Sequence, residues 1–423
     1  MRENVTRRGF LRSAAALAAA PLVLRSSALG KDGAAPPSDR VIMGGIGIGG
    51  RGSGDLGILM SFRDCQFVAN CDVRGDRRER VKAMIDQKNG NKDCVAYIDF
   101  RELLARPDID AVLIATSDRW HTPLSVHAMR AGKDVYCEKP CSINIAEGRV
   151  LADTARRYAR VYQAGTQRRS EEPFVFCMEA ARTGLLGKVH TLTAHICLGL
   201  PGHGWGAEEP LPPREELDWD LFLGPAPYRP YNKGAVGWGG RLDMHGGGIT
   251  EWGSHTIDMC QWANDTETTG PIAYTFPGNT SGEGFVAHYA NGVKLLLTGR
   301  GFPGSCGIRF EGSEGSAMAA DGAGATVQPQ ALQAERRRVV QNYLARSQRP
   351  LNHWRDFLDC AKSRRHAVAP AETAHRSVAA CHCASISLML QRDLKWDPAK
   401  EEFAGDEEAN RLRSTPRRAP WAV

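Results

Sequence analysis

The chain has 423 residues, 24% of them charged, and a formal net charge of +6. Five arginines and one glutamate precede Lys31, so +4 of that charge sits in residues 1–30 and about +2 in the remainder, too little for a nucleic-acid-binding surface. The length exceeds one ordinary core and calls for two domains, and the twelve cysteines show no framework spacing, which reads as buried thiols rather than disulfides.

Residues 1–30 read as an address. Arg7-Arg8 precede an Ala/Leu-rich run at 13–24 that is too short to span a bilayer. The pattern is that of twin-arginine export, a route for folded proteins; the alternative is an amphipathic or disordered tail. Residues 31–39, with Pro36-Pro37, form a linker. The export machinery is thus an expected partner and the periplasm the expected location, or the cytoplasm if the leader does not function. No later segment reads as transmembrane.

Residues 40–166 alternate strand-like and helical patterns, the sign of βαβ units on a parallel sheet. The first apolar run breaks into glycines. Gly47, Gly49 and Gly52 fit G-x-G-x-x-G, in which the glycines serve a tight turn, close approach of a pyrophosphate, and helix–strand packing. Gly45, Gly47 and Gly50 fit equally, leaving the register open by two residues. Gly50 and Arg51 open the helix whose N-terminus faces the phosphates. Asp72 ends the next apolar run twenty residues past Gly52, where a carboxylate accepts hydrogen bonds from an adenosine ribose and repels a 2′-phosphate. NAD is therefore the expected cofactor, with NADP an alternative because Arg74, Arg77 and Arg78 lie close by. Thr116 and Ser117 follow the strand at 111–116, and Glu138 and Lys139 follow that at 134–137, so both pairs lie at strand carboxyl ends and at the cleft. Pro140 fixes the turn that carries Lys139.

Residues 167–423 read as an α+β domain. A helix is expected at 174–183 and a strand at 189–196, followed by a loop at 198–243 rich in Gly, Pro and Trp, whose tryptophans either stack on sugar faces or pack on the sheet. Asn291-Gly292 between two apolar runs predicts a hairpin, and helices at 351–362 and 373–391 return to the first domain. Glu251 and His255 are four apart and share a helical face, an arrangement in which the carboxylate orients an imidazole suited to taking an alcohol proton. His245 could join them on zinc, but the spacing is loose and no metal is expected. Cys381-His382-Cys383 reads as packing. Arg168, Trp219, Trp252 and Asp258 are candidate substrate contacts.

These motifs together resemble the Gfo/Idh/MocA oxidoreductases, named for glucose–fructose oxidoreductase and inositol dehydrogenase. Residues 115–123 resemble the family's turn after the fourth strand, and Glu138-Lys139-Pro140 its characteristic tripeptide. Residues 163–169 resemble its crossing segment, and 246–255 the glycine-rich entry to the helix bearing its acid and histidine. Arg119 and Glu251 stand where such relatives often have His and Asp.

The resemblance implies an α/β fold: an N-terminal Rossmann domain and a C-terminal α+β domain with an open antiparallel sheet, whose exposed face favours homo-oligomers. It also implies an NAD(P)-dependent oxidoreductase that moves a hydride between a carbohydrate or cyclitol hydroxyl and the nicotinamide. Lys139 would contact the nicotinamide ribose and the hydroxyl, His255 would take the proton, and Thr116, Ser117, His121 and Glu138 would border the cofactor. Two alternatives are an NAD-dependent glycoside hydrolase or lyase working through transient oxidation, and a cofactor-stabilised sugar-binding protein without turnover. Export of a chain whose cofactor is made in the cytoplasm implies that the cofactor is tightly bound.

Overall fold

The computed structural model describes residue 36 and residues 39–197, 199–202, 204–237, 239–421 and 423. The leader at 1–30 and most of the linker lie outside the described residues. Val41–Ser61 and Cys65–Val423 form one compact unit, built on two sheets.

The first sheet comprises β1 (Val41–Ile46), β2 (Cys65–Cys71), β3 (Val95–Tyr97), β4 (Ala111–Ile114), β5 (Asp134–Cys137) and β6 (Tyr162–Ala164). All neighbours are parallel, in the order β3-β2-β1-β4-β5-β6. Every side chain of β4 and β5 is buried, which is why these strands read as unbroken apolar runs. The crossovers carry α1 (Gly50–Ser61), α2 (Gly75–Asn89), α3 (Phe100–Leu104), α4 (His121–Arg130) and α5 (Ile145–Arg157). Strand order reverses between β1 and β4, and the crevice beyond the strand ends at that point is where such sheets bind ligands.

After α6 (Glu172–Arg182) the chain builds a second sheet from β7 (Val189–His195), β8 (Ala273–Thr275), β9 (Phe285–His288), β10 (Lys294–Thr298), β11 (Ile308–Gly312), β12 (Ser316–Ala320), β13 (Gly324–Gln328), β14 (Leu394–Asp397) and β15 (Glu402–Phe403). Its order is β13-β12-β11-β7-β10-β9-β8-β14-β15, antiparallel throughout except for the parallel pair β7 and β10. Residues 289–293 turn β9 into β10, with Gly292 at φ +85°, a backbone conformation glycine adopts without steric cost.

The remaining helices are α7 (Trp219–Leu223), α8 (Gly248–Ala263), α9 (Arg336–Ser347), α10 (His353–Ser363), α11 (Ala371–Leu390) and α12 (Glu407–Arg411). Three of them join the parts of the molecule. α8 packs on α11 so closely that a Cβ on Gly253 would stand 2.8 Å from Cys381 Sγ. Cys381 and Cys383 are fully buried, and His382 Nε2 faces the Ser142 carbonyl at 3.2 Å, so this triplet packs. α10 docks on the end of β6, where Gln163 Nε2 donates to the His353 carbonyl (2.6 Å) and His353 Nε2 faces the Ala164 carbonyl (2.8 Å). Each of the twelve cysteines is a free thiol, and all but Cys197 are buried.

Candidate functional site

Two cavities meet at the switch point of the first sheet, sharing Arg51, Ala115 and Thr116. The first, of about 240 Å³, lies over the glycine loop. Gly47 has φ +68°, and a Cβ there would fall 2.2 Å from Thr116 Cγ2; a Cβ on Gly52 would fall 2.7 Å from Ala115 Cβ, whereas Gly50 faces open space. The register is therefore 47, 49, 52, with a turn glycine first and a helix–strand packing glycine last. Asp72, at the end of β2, accepts from the Arg74 backbone N–H through Oδ1 (2.9 Å), while its Oδ2 is buried and receives no hydrogen bond among the described residues. An acceptor so placed beside a helix N-terminus fits a dinucleotide, with the phosphates at α1 and a ribose hydroxyl donating to Asp72.

Of the nearby arginines, Arg74 pairs with Asp76 (2.6 Å) and Arg78 is held by the Asp72 and Glu215 carbonyls. Arg77 leans over Gly49, its Nη1 2.9 Å from where a Cβ would sit. The protein is accordingly expected to prefer NAD over NADP by roughly tenfold or more, the ratio that about 1.4 kcal/mol supplies. Titration with the two nucleotides checks this, and equal affinity would assign the choice to Arg77.

A roof closes this cavity. The Asp218 N–H donates to the Val73 carbonyl (3.1 Å), the Gly75 N–H to the Glu216 carbonyl (3.0 Å), and Trp120 Nε1 to the Leu221 carbonyl (2.9 Å). Arg119 is fully buried and donates to the carbonyls of Phe222 and Leu223, with its guanidinium over the Phe222 ring. The residue that departs from the family pattern thus holds the roof and does not face the second cavity. Trp219 is also in the roof, stacked on Phe222 at 5.0 Å and donating to the Arg229 carbonyl. This corrects its assignment as a substrate contact: α7 turns the indole into a local apolar cluster. The C-terminal segment straps the roof down, Arg418 donating to the Gly224 and Asp220 carbonyls (3.0 and 2.9 Å) while Trp421 packs edge-on against Trp120.

The second cavity, of about 400 Å³, is lined by Asp118, His121, Glu138, Lys139, Gln167, Arg168, His245, Glu251, Trp252, His255, Ser305, Cys306 and Asp321. The sequence candidates Lys139, His255, Glu251, Arg168 and Trp252 converge here. The Lys139 side chain makes no hydrogen bond or ion pair among the described residues, while beneath it Glu138 Oε1 accepts from Gln167 Nε2 (2.8 Å) and Arg51 Nε (3.4 Å). Behind Glu138, Asp55 meets Arg51 (2.9 Å) and Trp354 Nε1 (3.1 Å), and its carboxyl is pushed up by burial and by the Glu138 charge. His121 lines the cavity with both ring nitrogens engaged; its Nδ1 and Nε2 face the Pro140 and Thr116 carbonyls (2.7 and 3.2 Å) and tie the two strand-end turns together.

The expected Glu251–His255 pair does not form. Glu251 turns outward to His245, Oε2 to Nε2 3.5 Å, and the same Nε2 lies 3.6 Å from Asp118 Oδ2. Buried His255 instead has Arg168 Nη1 3.5 Å from its Nε2. Sharing a helical face places two residues side by side, but Glu251 takes His245 as its partner. The His255 imidazole is held well below its usual range by burial first, then by the charges of Arg168, Lys139 and Arg51. Burial also opposes charge on His245, yet the Glu251 hydrogen bond and the Asp118 charge raise it.

Asp258 faces away from the cavity. It receives Arg169 Nε and Nη2 (2.6 and 2.9 Å) and Ser377 Oγ (2.8 Å) in the interior, joining the crossing segment to α8 and α11. Asp258→Ala is expected to cost about 3 kcal/mol, because buried Arg169 loses its bidentate carboxylate and keeps Glu267 (2.7 Å), checked by denaturant unfolding. Sequence reasoning missed Asp321, which is bound by Arg168 and accepts from Ser305 Oγ (2.9 Å). The second sheet carries it to the cavity, and locally Asp321-Gly322 signals only a turn.

Residues 41–166 match the family described as "Oxidoreductase family, NAD-binding Rossmann fold", and residues 201–423 match "Oxidoreductase family, C-terminal alpha/beta domain". The chain is 32% identical to the myo-inositol 2-dehydrogenase of Thermotoga maritima over 36% of this chain and 43% of that protein. It is 31% identical to a glycosyl hydrolase family 109 protein 1 of Shewanella sp. strain ANA-3 over 36% and 38%. The chain thus spans under half the length of these curated relatives. Among solved structures, the WlbA dehydrogenase of Chromobacterium violaceum, in complex with NADH and UDP-GlcNAcA, has a TM-score of 0.60 at 16% identity, covering 85% of this chain and 96% of that one. The aldose-aldose oxidoreductase of Caulobacter crescentus has a TM-score of 0.56 at 15% identity, covering 84% and 99%; at these identities the likeness is one of fold. With residues 41–166 and 201–423 both matched, the chain belongs to the Gfo/Idh/MocA family of NAD-binding oxidoreductases.

Proposed function

We propose that the protein oxidises a secondary hydroxyl of a neutral carbohydrate or cyclitol with NAD, or runs the reverse reduction. The observation that carries this reading is the convergence of Lys139 and His255 in a cavity that opens, through Arg51 and Thr116, onto the glycine-loop cavity. The nicotinamide supplies the hydride acceptor. Lys139, whose ammonium makes no ion pair among the described residues, donates to the reacting oxygen and stabilises it as negative charge develops. His255, neutral in its cationic surroundings, accepts the hydroxyl proton.

Cavity charge supports an uncharged substrate. Arg168 is spent on Asp321 and Arg51 on Glu138, leaving Lys139 and His245 balanced by Asp118 and Glu251. Trp252 offers an apolar face for a sugar ring. Assaying nicotinamide absorbance against a panel of polyols and sugars tests the reading; nucleotide binding without turnover on any of them would return the choice to a sugar-binding protein.

A second reading is redox-assisted cleavage, in which the hydride leaves and returns and a neighbouring glycosidic or ether bond breaks in between. The roof and its C-terminal strap favour it, because a cofactor held beneath them exchanges slowly and is best regenerated in place. The twin-arginine leader and a periplasmic location belong to the same proposal, since folded export delivers only a cofactor already bound. Half-buried Val286, Leu296 and Met318 on the outer face of the second sheet support a homo-oligomer.

A further inference from the structure

His255 is a poor resting place for the proton it takes. Arg168 lies 3.5 Å from its Nε2, Lys139 and Arg51 add positive charge, and Asp258 one turn along is consumed by Arg169. Across the same cavity, His245 has the opposite surroundings. It enters from the loop before α8 and stands between Asp118, from the turn after β4, and Glu251, from the first turn of α8; Lys139, from the turn after β5, is the cation facing the group. The carboxylates are positioned. Asp118 is 3% exposed, and its Oδ2, the oxygen nearer the imidazole, also accepts from the Gly246 N–H (3.1 Å). A Cβ at Gly246 would stand 2.4 Å from Thr250 Oγ1, so the loop that aims His245 depends on glycine. Glu251 is 45% exposed and reaches solvent.

We propose that His245 is a second proton-handling residue of the site, receiving the proton released from the substrate hydroxyl and passing it to solvent along Glu251. The assignment rests on the oxidation proposed above. In that reaction the substrate carbon is oxidised: its C–H bond breaks, with the electron pair leaving as hydride to the nicotinamide, and its O–H bond breaks, with the proton moving to His255 and on to His245. A carbonyl forms, and Glu251 hands the proton to water. In the reverse direction the same imidazolium returns the proton.

The test is the pH dependence of kcat in wild type, His245→Gln and Glu251→Gln. Wild type is expected to show an ionisation that His245→Gln abolishes, with kcat at neutral pH down roughly 10- to 100-fold, at or below the usual range for a general acid–base group, and nucleotide affinity unchanged. Glu251→Gln is expected to move that ionisation to lower pH, because the imidazolium loses the Glu251 carboxylate. An NMR titration of labelled histidine, assigned by the signal lost in His245→Gln, reads the same group without turnover and is expected above free imidazole. A His245→Gln profile superimposable on wild type, or a His245 signal titrating below free imidazole, overturns the assignment and leaves the oxidation standing. Failure of wild type to oxidise any alcohol overturns both.

Discussion

Lys139→Ala is expected to lower turnover by about 10²–10⁴-fold, and His255→Ala by a comparable factor, with nucleotide affinity and thermal stability close to wild type. The expectation rests on what each side chain is committed to. Lys139 makes no ion pair among the described residues, so its removal strands no buried partner; Glu138 beneath it keeps Gln167 and Arg51. Among the described residues His255 contributes only the long contact to Arg168, which retains Asp321. Neither truncation therefore opens a buried charge, and the loss falls on the reaction. Lys139→Arg is not expected to rescue, because a planar guanidinium cannot present one compact charge in the same turn. Turnover in a polyol assay, with nucleotide binding and melting measured alongside, checks the outcome; near wild-type turnover in a folded His255→Ala variant would take this histidine out of the reaction.

The nucleotide half of the site was legible because its chemistry is local. The glycine loop, Asp72 and the two strand-end turns each lie within a few residues of one strand, and the parallel sheet brings strand ends together in a fixed order. Even the ambiguous glycine register resolves on contacts with Thr116 and Ala115, which are set by that order. The substrate half was legible only in part. Glu251 and His255 were rightly placed on one helix in one cavity, yet their partners come from elsewhere: His245 from a glycine-rich loop, Arg168 from the crossing segment, Asp321 from the far side of the second sheet. Which of several neighbours a carboxylate chooses depends on tertiary distance, which helical spacing does not encode. Asp258 and Trp219 failed as substrate contacts for the complementary reason. A polar or aromatic residue near a functional motif has two uses, and here burial chose structure: Arg169 claims the carboxylate, and the roof claims the indole.

The purified protein is expected to carry nicotinamide nucleotide, and the double variant Arg418→Ala/Trp421→Ala to lose it at least about tenfold faster. The cofactor cavity is closed from above by residues 216–224, which are hydrogen-bonded at one end to Val73 and Gly75 and at the other to Arg119 and Trp120. Opening either end widens the way out for the nucleotide, and the C-terminal segment resists that opening at the Trp120 end. Arg418 binds the Asp220 and Gly224 carbonyls, its own N–H donates to the Pro225 carbonyl (3.0 Å), and Trp421 sits against Trp120 at 5.4 Å. Net hydrogen bonds contribute about 0.5–1.5 kcal/mol each and an aromatic pair about as much, so removing both side chains lowers the opening cost by some 2 kcal/mol or more, a factor above tenfold in rate. The sites removed lie outside the second cavity, so chemistry on bound cofactor is expected to persist while retention falls. Denaturing fresh protein and assaying the supernatant for nucleotide gives the resident fraction, and trapping released nucleotide over time gives the rate. Wild type that is purified empty and exchanges cofactor freely would remove the reason for regenerating it in place, and with it the case for redox-assisted cleavage over simple oxidation.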